Sequence, residues 1–298
     1  MRVVVSGSSG LIGRALLRKL SDEGHEIITL VRRPPRGNEV QWDPPRATID
    51  SAGLEGCDAV VNLAGAGIGD RRWSPARKRE ILESRVGSTA LLCQTLAGLT
   101  RRPRVLVNAS AIGVYGSRGD EVLTEDSAAG TGFLAEVCGA WESATSSAES
   151  AGIRVVHLRT SVVLAAEGGA LARQLSIFKL GLGGRLGRGD QWLSWISLSD
   201  ELRAILHVLT QESHSGPVNA VAPSPVTNAS FTRALGSALH RPAVLVVPGA
   251  ALRMALGREM ADEMVLASQR VLPERLQASG FSFDHPSVDQ AIAAALAA

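Results

Sequence analysis

The chain opens on RVVVSGSSGLIG (residues 2–13), and no other stretch constrains its fold as tightly. A β-branched run, Val3 to Val5, ends in a glycine turn. The turn feeds a segment of helical periodicity with Leu11, Ile12, Ala15, Leu16 and Leu20 on one face. Strand, glycine turn and helix in that order bring the unbonded amides of a helix N-terminus to one spot, where a pyrophosphate can sit. Gly7 allows the tight turn, Gly10 the approach of backbone to phosphate, and Gly13 the close packing of helix on strand. Ser9, Leu11 and Ile12 complete the expected cradle. The spacing is G-x-x-G-x-x-G, one residue longer than the usual G-x-G-x-x-G fingerprint.

Downstream, strand-like and helical patterns alternate. Ile27–Val31 reads as a second strand after a helix stop at Gly24. Ala59–Leu63 and Val105–Asn108 are short apolar runs suited to strands covered on both faces. Helical patterns fall around Pro75–Leu96 and from Phe133 to Ala151, and Arg154–Leu158 is a further strand. Glu167–Gly189 is glycine-rich with little β character, Trp192–Ile196 reads as a short strand, and Leu198–Thr210 as a helix. From Pro223 onward the pattern is mostly helical. The expected fold class is α/β: a Rossmann-type doubly wound parallel sheet with a smaller, mainly helical C-terminal substrate lobe. Residues 1–164 form the expected dinucleotide-binding domain, with 197–222 returning to it. Residues 165–196 and 223–298 form the lobe, and the cleft between the two is the expected substrate site.

Bulk properties narrow the class. With 298 residues, 45% of them hydrophobic, the chain can bury a substantial core. A net charge of +2 provides no field to draw nucleic acid or a membrane surface. The scattered Cys57, Cys93 and Cys138 lack metal spacing and do not suggest a disulfide framework, so no metal is expected. No signal peptide is visible, and no apolar run approaches the roughly 20 residues of a membrane span. A cytoplasmic protein with a small-molecule partner is the expectation.

The residues after the second strand bear on the choice of dinucleotide. An acidic side chain there accepts hydrogen bonds from a ribose 2′-OH, whereas an Arg accommodates a 2′-phosphate. Ile27–Val31 runs into Arg32 and Arg33 with no carboxylate at its end, which points to NADP(H).

At this point the sequence resembles the extended short-chain dehydrogenase/reductase superfamily. Besides GSSGLIG, the segments Asp58–Gly65, Val114-Tyr115-Gly116, Arg159 with Val162–Leu164, and Trp195-Ile196 through Asp200 are similar to its motifs. A narrower likeness covers nearly the whole chain. It rests on Asn62–Ile68, Arg71-Arg72-Trp73, Gly181–Gly184, Asn219–Pro223, Val226-Thr227-Asn228, Arg241-Pro242 and Arg270–Pro273. These resemble the atypical "epimerase family protein" group, which carries a DUF1731 C-terminal segment. The resemblance implies that Leu63 and Ala64 line the cofactor, that Glu80 and Arg85 reach toward it, and that Val163 packs near the nicotinamide end. It also allows a homodimer.

The resemblance breaks at the acid/base pair. Extended members use a Tyr and a Lys four residues later, but this chain has one tyrosine, Tyr115, with Gly119 four residues on. Aligning Leu134–Glu142 on the usual helix places Leu134 at the Tyr position and Cys138 at the Lys position. Ala111 occupies the usual Ser/Thr position, with Ser110 beside it. The candidate catalytic groups are therefore Tyr115 and Ser110. Tyr115 is expected at the mouth of the cleft and needs a cationic neighbour, because a free phenol titrates near about 10. Arg188 and Trp192 are candidates for a substrate with an anion and a planar ring, such as a nucleotide sugar. Two functions remain open: an NADP(H)-dependent oxidoreductase or epimerase acting on a nucleotide sugar or small carbonyl compound, and a non-catalytic NADPH sensor.

Overall fold

The computed structural model describes residues 1–297. In chain order the elements are β1 (Arg2–Ser6), α1 (Leu11–Asp22), β2 (Glu26–Val31), β3 (Glu39–Asp43), β4 (Thr48–Ile49), β5 (Ala59–Asn62), α2 (Pro75–Gly98) and β6 (Val105–Ala111). Then come β7 (Val122–Leu123), α3 (Phe133–Ser143), α4 (Ser146–Ser150), β8 (Arg154–Thr160), β9 (Val162–Leu164), α5 (Gly169–Lys179), β10 (Gly184–Leu186), β11 (Trp192–Leu193) and β12 (Trp195–Ser197). The rest are α6 (Leu198–Thr210), β13 (Gly216–Ala220), β14 (Val226–Thr227), α7 (Asn228–Ala238), β15 (Leu245–Val247), α8 (Gly249–Leu256), α9 (Arg258–Met260), β16 (Arg270–Val271), α10 (Glu274–Ala278) and α11 (Val288–Ala297). The chain divides into two compact units. The first comprises Met1–Ser110, Val137–Leu158 and Ile205–Val218; the second comprises Ala111–Glu136, Arg159–Ala204 and the chain from Asn219 onward.

The first unit is built on the large sheet. Among the described residues its strand order is β13-β8-β6-β5-β1-β2-β3-β4. Strands β6, β5, β1, β2 and β3 run parallel, and β4 closes the edge antiparallel to β3. The chain leaves β1 toward β2 on one side and returns through β5 on the other. Such a reversal opens a crevice at the carboxyl ends of β1 and β5, where open α/β sheets bind ligands. Val3, Val4, Val5 and Val60 are fully buried because helices cover both faces of a parallel sheet. Val4, Ile28, Leu30, Val40, Trp42, Leu92, Leu96 and Leu106 form one of its apolar clusters. Each such side chain contributes about 1.5–3 kcal/mol on burial.

The second unit has its own core, formed by Leu164, Leu171, Leu175, Phe178, Trp195, Phe231, Leu235 and Ile292 among others. Short two-stranded pairings, β9 with β12 and β10 with β15, stand in place of a large sheet.

Several sequence expectations need correction. The expected helix from Phe133 to Ala151 is two helices, α3 and α4, because the amides of Ala144 and Thr145 end the first before Ser146 starts the second. The glycine-rich segment 167–189 contains a full helix, α5, whose Leu171, Leu175 and Phe178 are buried at helical spacing. Strands β3 and β4 were not expected, since Glu39–Asp43 is short and charged at both ends. The C-terminal region also carries β14, β15 and β16 between its helices.

Candidate functional site

The glycine turn and the loops after β2 and β5 enclose a groove of about 1160 Å³ in the first unit. Its lining includes Gly7 to Gly10, Val31 to Arg33, Glu39, Trp42, Pro44, Leu63 to Gly67, Arg71, Arg77 and Glu80. Two glycines of the turn are sterically required. Gly7 has φ +66, and a Cβ on it would lie 2.5 Å from the Leu63 carbonyl oxygen. A Cβ on Gly13 would run into the Gly7 carbonyl oxygen. Helix α1 follows Gly10, which supplies no side-chain cap, and has no acidic residue in its first turn. Its first-turn amides, those of Leu11, Ile12 and Gly13, are therefore left to hold an anion, beside the exposed Ser9 and Gly10. A pyrophosphate fits this turn: a side chain at Gly7 or Gly13 would push the backbone that shapes it, and the helix dipole favours negative charge there.

A buried polar network holds the groove floor. Ser6 Oγ donates to Asn62 Oδ1 at 2.5 Å and accepts from the Leu63 amide at 3.1 Å. Asn62 Nδ2 donates to Asn108 Oδ1 at 2.7 Å and to Thr89 Oγ1 at 2.9 Å. Trp141 Nε1 also donates to Thr89 Oγ1, at 2.9 Å. The ends of β1 and β5 and the middle of β6 are thus tied to α2 and α3, with every partner satisfied, which makes such a network rigid. Sequence reasoning passed over it because serine and asparagine at strand ends carry no distinctive spacing.

The expected cofactor residues separate into groups. Gly7, Ser9, Gly10, Arg32, Arg33, Leu63, Ala64 and Glu80 stand at the groove, with Leu11, Ile12 and Gly13 contributing through the first turn of α1. Arg33 is engaged: its Nη1 and Nη2 bind the Glu39 carboxylate at 2.7 and 2.5 Å. That bond raises the Arg33 pKa and lowers that of Glu39. The expectation that no carboxylate stands at the end of β2 is therefore corrected, because Glu39 reaches it from β3 through the register Thr29↔Glu39. Glu80 pairs with Arg77 at 2.7 Å, which holds its carboxyl below the usual range.

Arg85 is not among the groove-lining residues. Its guanidinium stacks 5.0 Å from the Trp141 ring centroid, and its Nη1 donates to the Ile81 carbonyl at 3.1 Å. Burial brings its pKa down to about 10, with a smaller opposing effect from Cys138. Val163 lies in β9 of the second unit, paired with Ile196.

The candidate catalytic groups are committed elsewhere. Ser110 is buried, and its Oγ donates to Glu142 Oε1 at 2.6 Å. Tyr115 is 0% exposed, which corrects its expected place at the mouth of a cleft. Its hydroxyl donates to Asn219 Oδ1 at 2.8 Å and accepts from Arg159 Nη1 at 2.9 Å. Arg159 is the cation that the sequence reading required, yet burial outweighs it and the phenol pKa is raised.

Arg188 and Trp192 are not brought together in contact. Arg188 is exposed and paired with Asp190, while Trp192 donates through Nε1 to Asp120 at 2.8 Å. The guanidinium over the Trp192 ring is that of Arg270, 4.4 Å from the centroid. One cluster joins Ser197, Asp200 and His285: Ser197 Oγ donates to Asp200 Oδ2 at 2.8 Å, and His285 Nδ1 lies 3.1 Å from Ser197 Oγ. Asp200 also accepts from the Asp284 and His285 amides, and its own amide donates to Ser197 Oγ. This is the cap of α6 tying down the 284–285 loop, with the histidine on the serine rather than between serine and carboxylate as a nucleophilic triad requires. Among the described residues no group of three or more His, Cys, Asp or Glu is placed to hold a metal, and no helix is long and apolar enough to cross a membrane.

Comparison with known proteins agrees with this architecture. The sequence model of the NAD dependent epimerase/dehydratase family matches residues 3–221, and that of the domain of unknown function DUF1731 matches 247–295. The chain is 46% identical to the epimerase family protein Mb2239 of Mycobacterium bovis, over 97% of this chain and 96% of that one. It is 36% identical to the human epimerase family protein SDR39U1, over 98% of each. The crystal structure of human SDR39U1 (isoform2) with NADPH superposes with a TM-score of 0.91 at 34% identity, covering 99% of this chain and 98% of that one. Glycine turn, parallel sheet and C-terminal segment thus occur together along one chain, and this chain belongs to the NAD dependent epimerase/dehydratase family.

Proposed function

We propose that the groove of the first unit binds NADP(H) and that the protein is an oxidoreductase or epimerase-like enzyme acting on a nucleotide sugar or small carbonyl compound. The observation that carries this reading is the uncapped N-terminus of α1, set against Gly7 and Gly13 and flanked by Arg32 in one groove. The solved relative with NADPH supports the same cofactor. When bound, NADP(H) supplies or accepts the hydride. The chain's part is to hold the pyrophosphate on the amides of Leu11 to Gly13, to meet the 2′-phosphate with Arg32, and to fix the ring end against the β5 loop at Leu63 and Ala64. Glu80, held by Arg77, lines the same groove.

The usual Tyr and Lys pair is absent, and Tyr115 is sealed from solvent. That burial favours a second reading, a binding protein that senses NADPH without turnover. The two are separated by two measurements. Titration with NADPH and NADH, followed by native tryptophan fluorescence, tests binding; Trp42 on the groove wall is a local reporter. Incubation with stereospecifically deuterated NADPH and a carbonyl and nucleotide-sugar panel then tests chemistry. An enzyme transfers label to a product, and a sensor binds the cofactor but transfers none. Binding of neither dinucleotide overturns both readings.

A further inference from the structure

We infer that Glu39 limits the groove's preference for the phosphorylated dinucleotide, by holding Arg33 in an ion pair and leaving Arg32 as the open guanidinium at the end of β2. This rests on the reading that the groove takes NADP(H). The loop 32–38 leaves β2 and returns into β3, whose first residue lies in register with Thr29. Glu39 therefore stands beside Thr29 of β2, within reach of the Arg33 side chain although it is six residues beyond Arg33. The contact is a two-point fork, 2.7 and 2.5 Å, and the Arg36 amide adds a third bond to the same carboxylate at 2.7 Å. Arg33 Nη1 also donates to the Pro34 carbonyl at 3.0 Å, so the donors on one side of its fork are spent. Arg32, Arg33 and Glu39 all line the groove. Among the described residues, Arg32 enters no hydrogen bond or ion pair.

The consequence follows from charge. A 2′-phosphate arriving at this corner meets Arg32, a guanidinium already neutralised by a carboxylate, and the carboxylate itself. A 2′-OH meets the same carboxylate as a hydrogen-bond acceptor, the role an acidic residue plays at this strand end in NAD sites. Glu39 therefore opposes the phosphate and accepts the hydroxyl, while Arg32 does the reverse. The preference is the difference between these effects. The pair is partly solvent-exposed, so substitutions there leave the core untouched.

The test is a set of dissociation constants for NADPH and NADH, measured on the full chain by tryptophan fluorescence for wild type, Glu39→Gln, Arg33→Gln and the double variant. Glu39→Gln frees the Arg33 fork and removes the repulsion, so the NADH-to-NADPH ratio of dissociation constants rises about tenfold. Arg33→Gln leaves the carboxylate unpaired before the phosphate, and the ratio falls by a similar factor. The double variant lies near wild type, because neither a freed guanidinium nor an unpaired carboxylate then faces the 2′-phosphate. An unchanged ratio in Glu39→Gln, or equal weakening of both dinucleotides as expected from a purely structural role in the turn, overturns the inference alone. A wild-type protein that binds neither dinucleotide overturns the reading of the groove and this inference with it.

Discussion

Tyr115 and Asn219, 104 residues apart in sequence, meet through a 2.8 Å hydrogen bond from the phenol to the amide oxygen, in a site with no solvent exposure of the ring. The Arg159 guanidinium donates to the same phenol and lies 5.2 Å from the ring centroid. The chain's single tyrosine is thus a hub of buried polar contacts.

One outcome is spectroscopic. Burial raises the Tyr115 pKa, so the folded state favours the neutral phenol. The unfolded tyrosine ionises near about 10, and stability is therefore lost as pH rises above that value. Because Tyr115 is the only tyrosine, the phenolate absorbance band near 295 nm reports it alone. The band develops with the unfolding transition seen by circular dichroism; development near pH 10 in a still-folded protein would contradict this burial.

Removing that hydroxyl has a separate effect. Tyr115→Phe removes the bond the phenol accepts from Arg159 Nη1 and the bond it donates to buried Asn219, and costs about 1–3 kcal/mol in urea unfolding. NADPH affinity stays within twofold of wild type. Affinity that collapsed while stability held would instead place the phenol at the cofactor.

Glu201 is a second buried acid. It is 0% exposed, its Oε1 accepts from Thr160 at 2.8 Å, and its Oε2 has no partner. Burial pushes its pKa up to about 8. The folded state keeps a proton that the unfolded chain, with a pKa near about 4.3, releases. Between those values the folded state binds more protons, so stability falls as pH rises from about 4 to about 8 and levels off above. Glu201→Gln removes this slope. The variant gains on wild type across that window, by on the order of a few kcal/mol, in urea titrations at pH 5 and pH 8.5. A pH-independent difference would show that Glu201 does not titrate in this range.

At the groove, Arg32→Asp replaces the open guanidinium with a carboxylate. NADPH affinity falls by about ten- to a hundredfold, while NADH affinity changes little. Equal loss of both in the fluorescence titration would mean that Arg32 supports the groove without meeting the 2′-phosphate.

Gly7→Ala tests the cradle itself. An alanine at φ +66, with its Cβ against the Leu63 carbonyl, is strained in both backbone and contact. Destabilisation of about 1–3 kcal/mol is expected, together with loss of binding of both dinucleotides. Chemical denaturation and the same titration measure the two effects separately.

The sequence alone determined the start of the first unit and much of its strand framework. A β-branched run, a glycine turn and a helix repeat are local patterns, set by backbone sterics and side-chain periodicity over a few residues. They identified β1, the turn at Gly7 and helix α1 without further information, and helix α6 as well. The absence of the Tyr and Lys pair was also legible, because it needs only a count. What tertiary structure decided were pairings between distant segments. Glu39 reaches Arg33 only because β3 takes a particular register on β2. Arg85 stacks on Trp141 only because α2 and α3 pack together, and Tyr115 is buried only where Arg159 and Asn219 converge on it. Strand register and helix packing are settled by burial over the whole core, so charge and hydrogen-bond partners at the site cannot be read from neighbours in sequence.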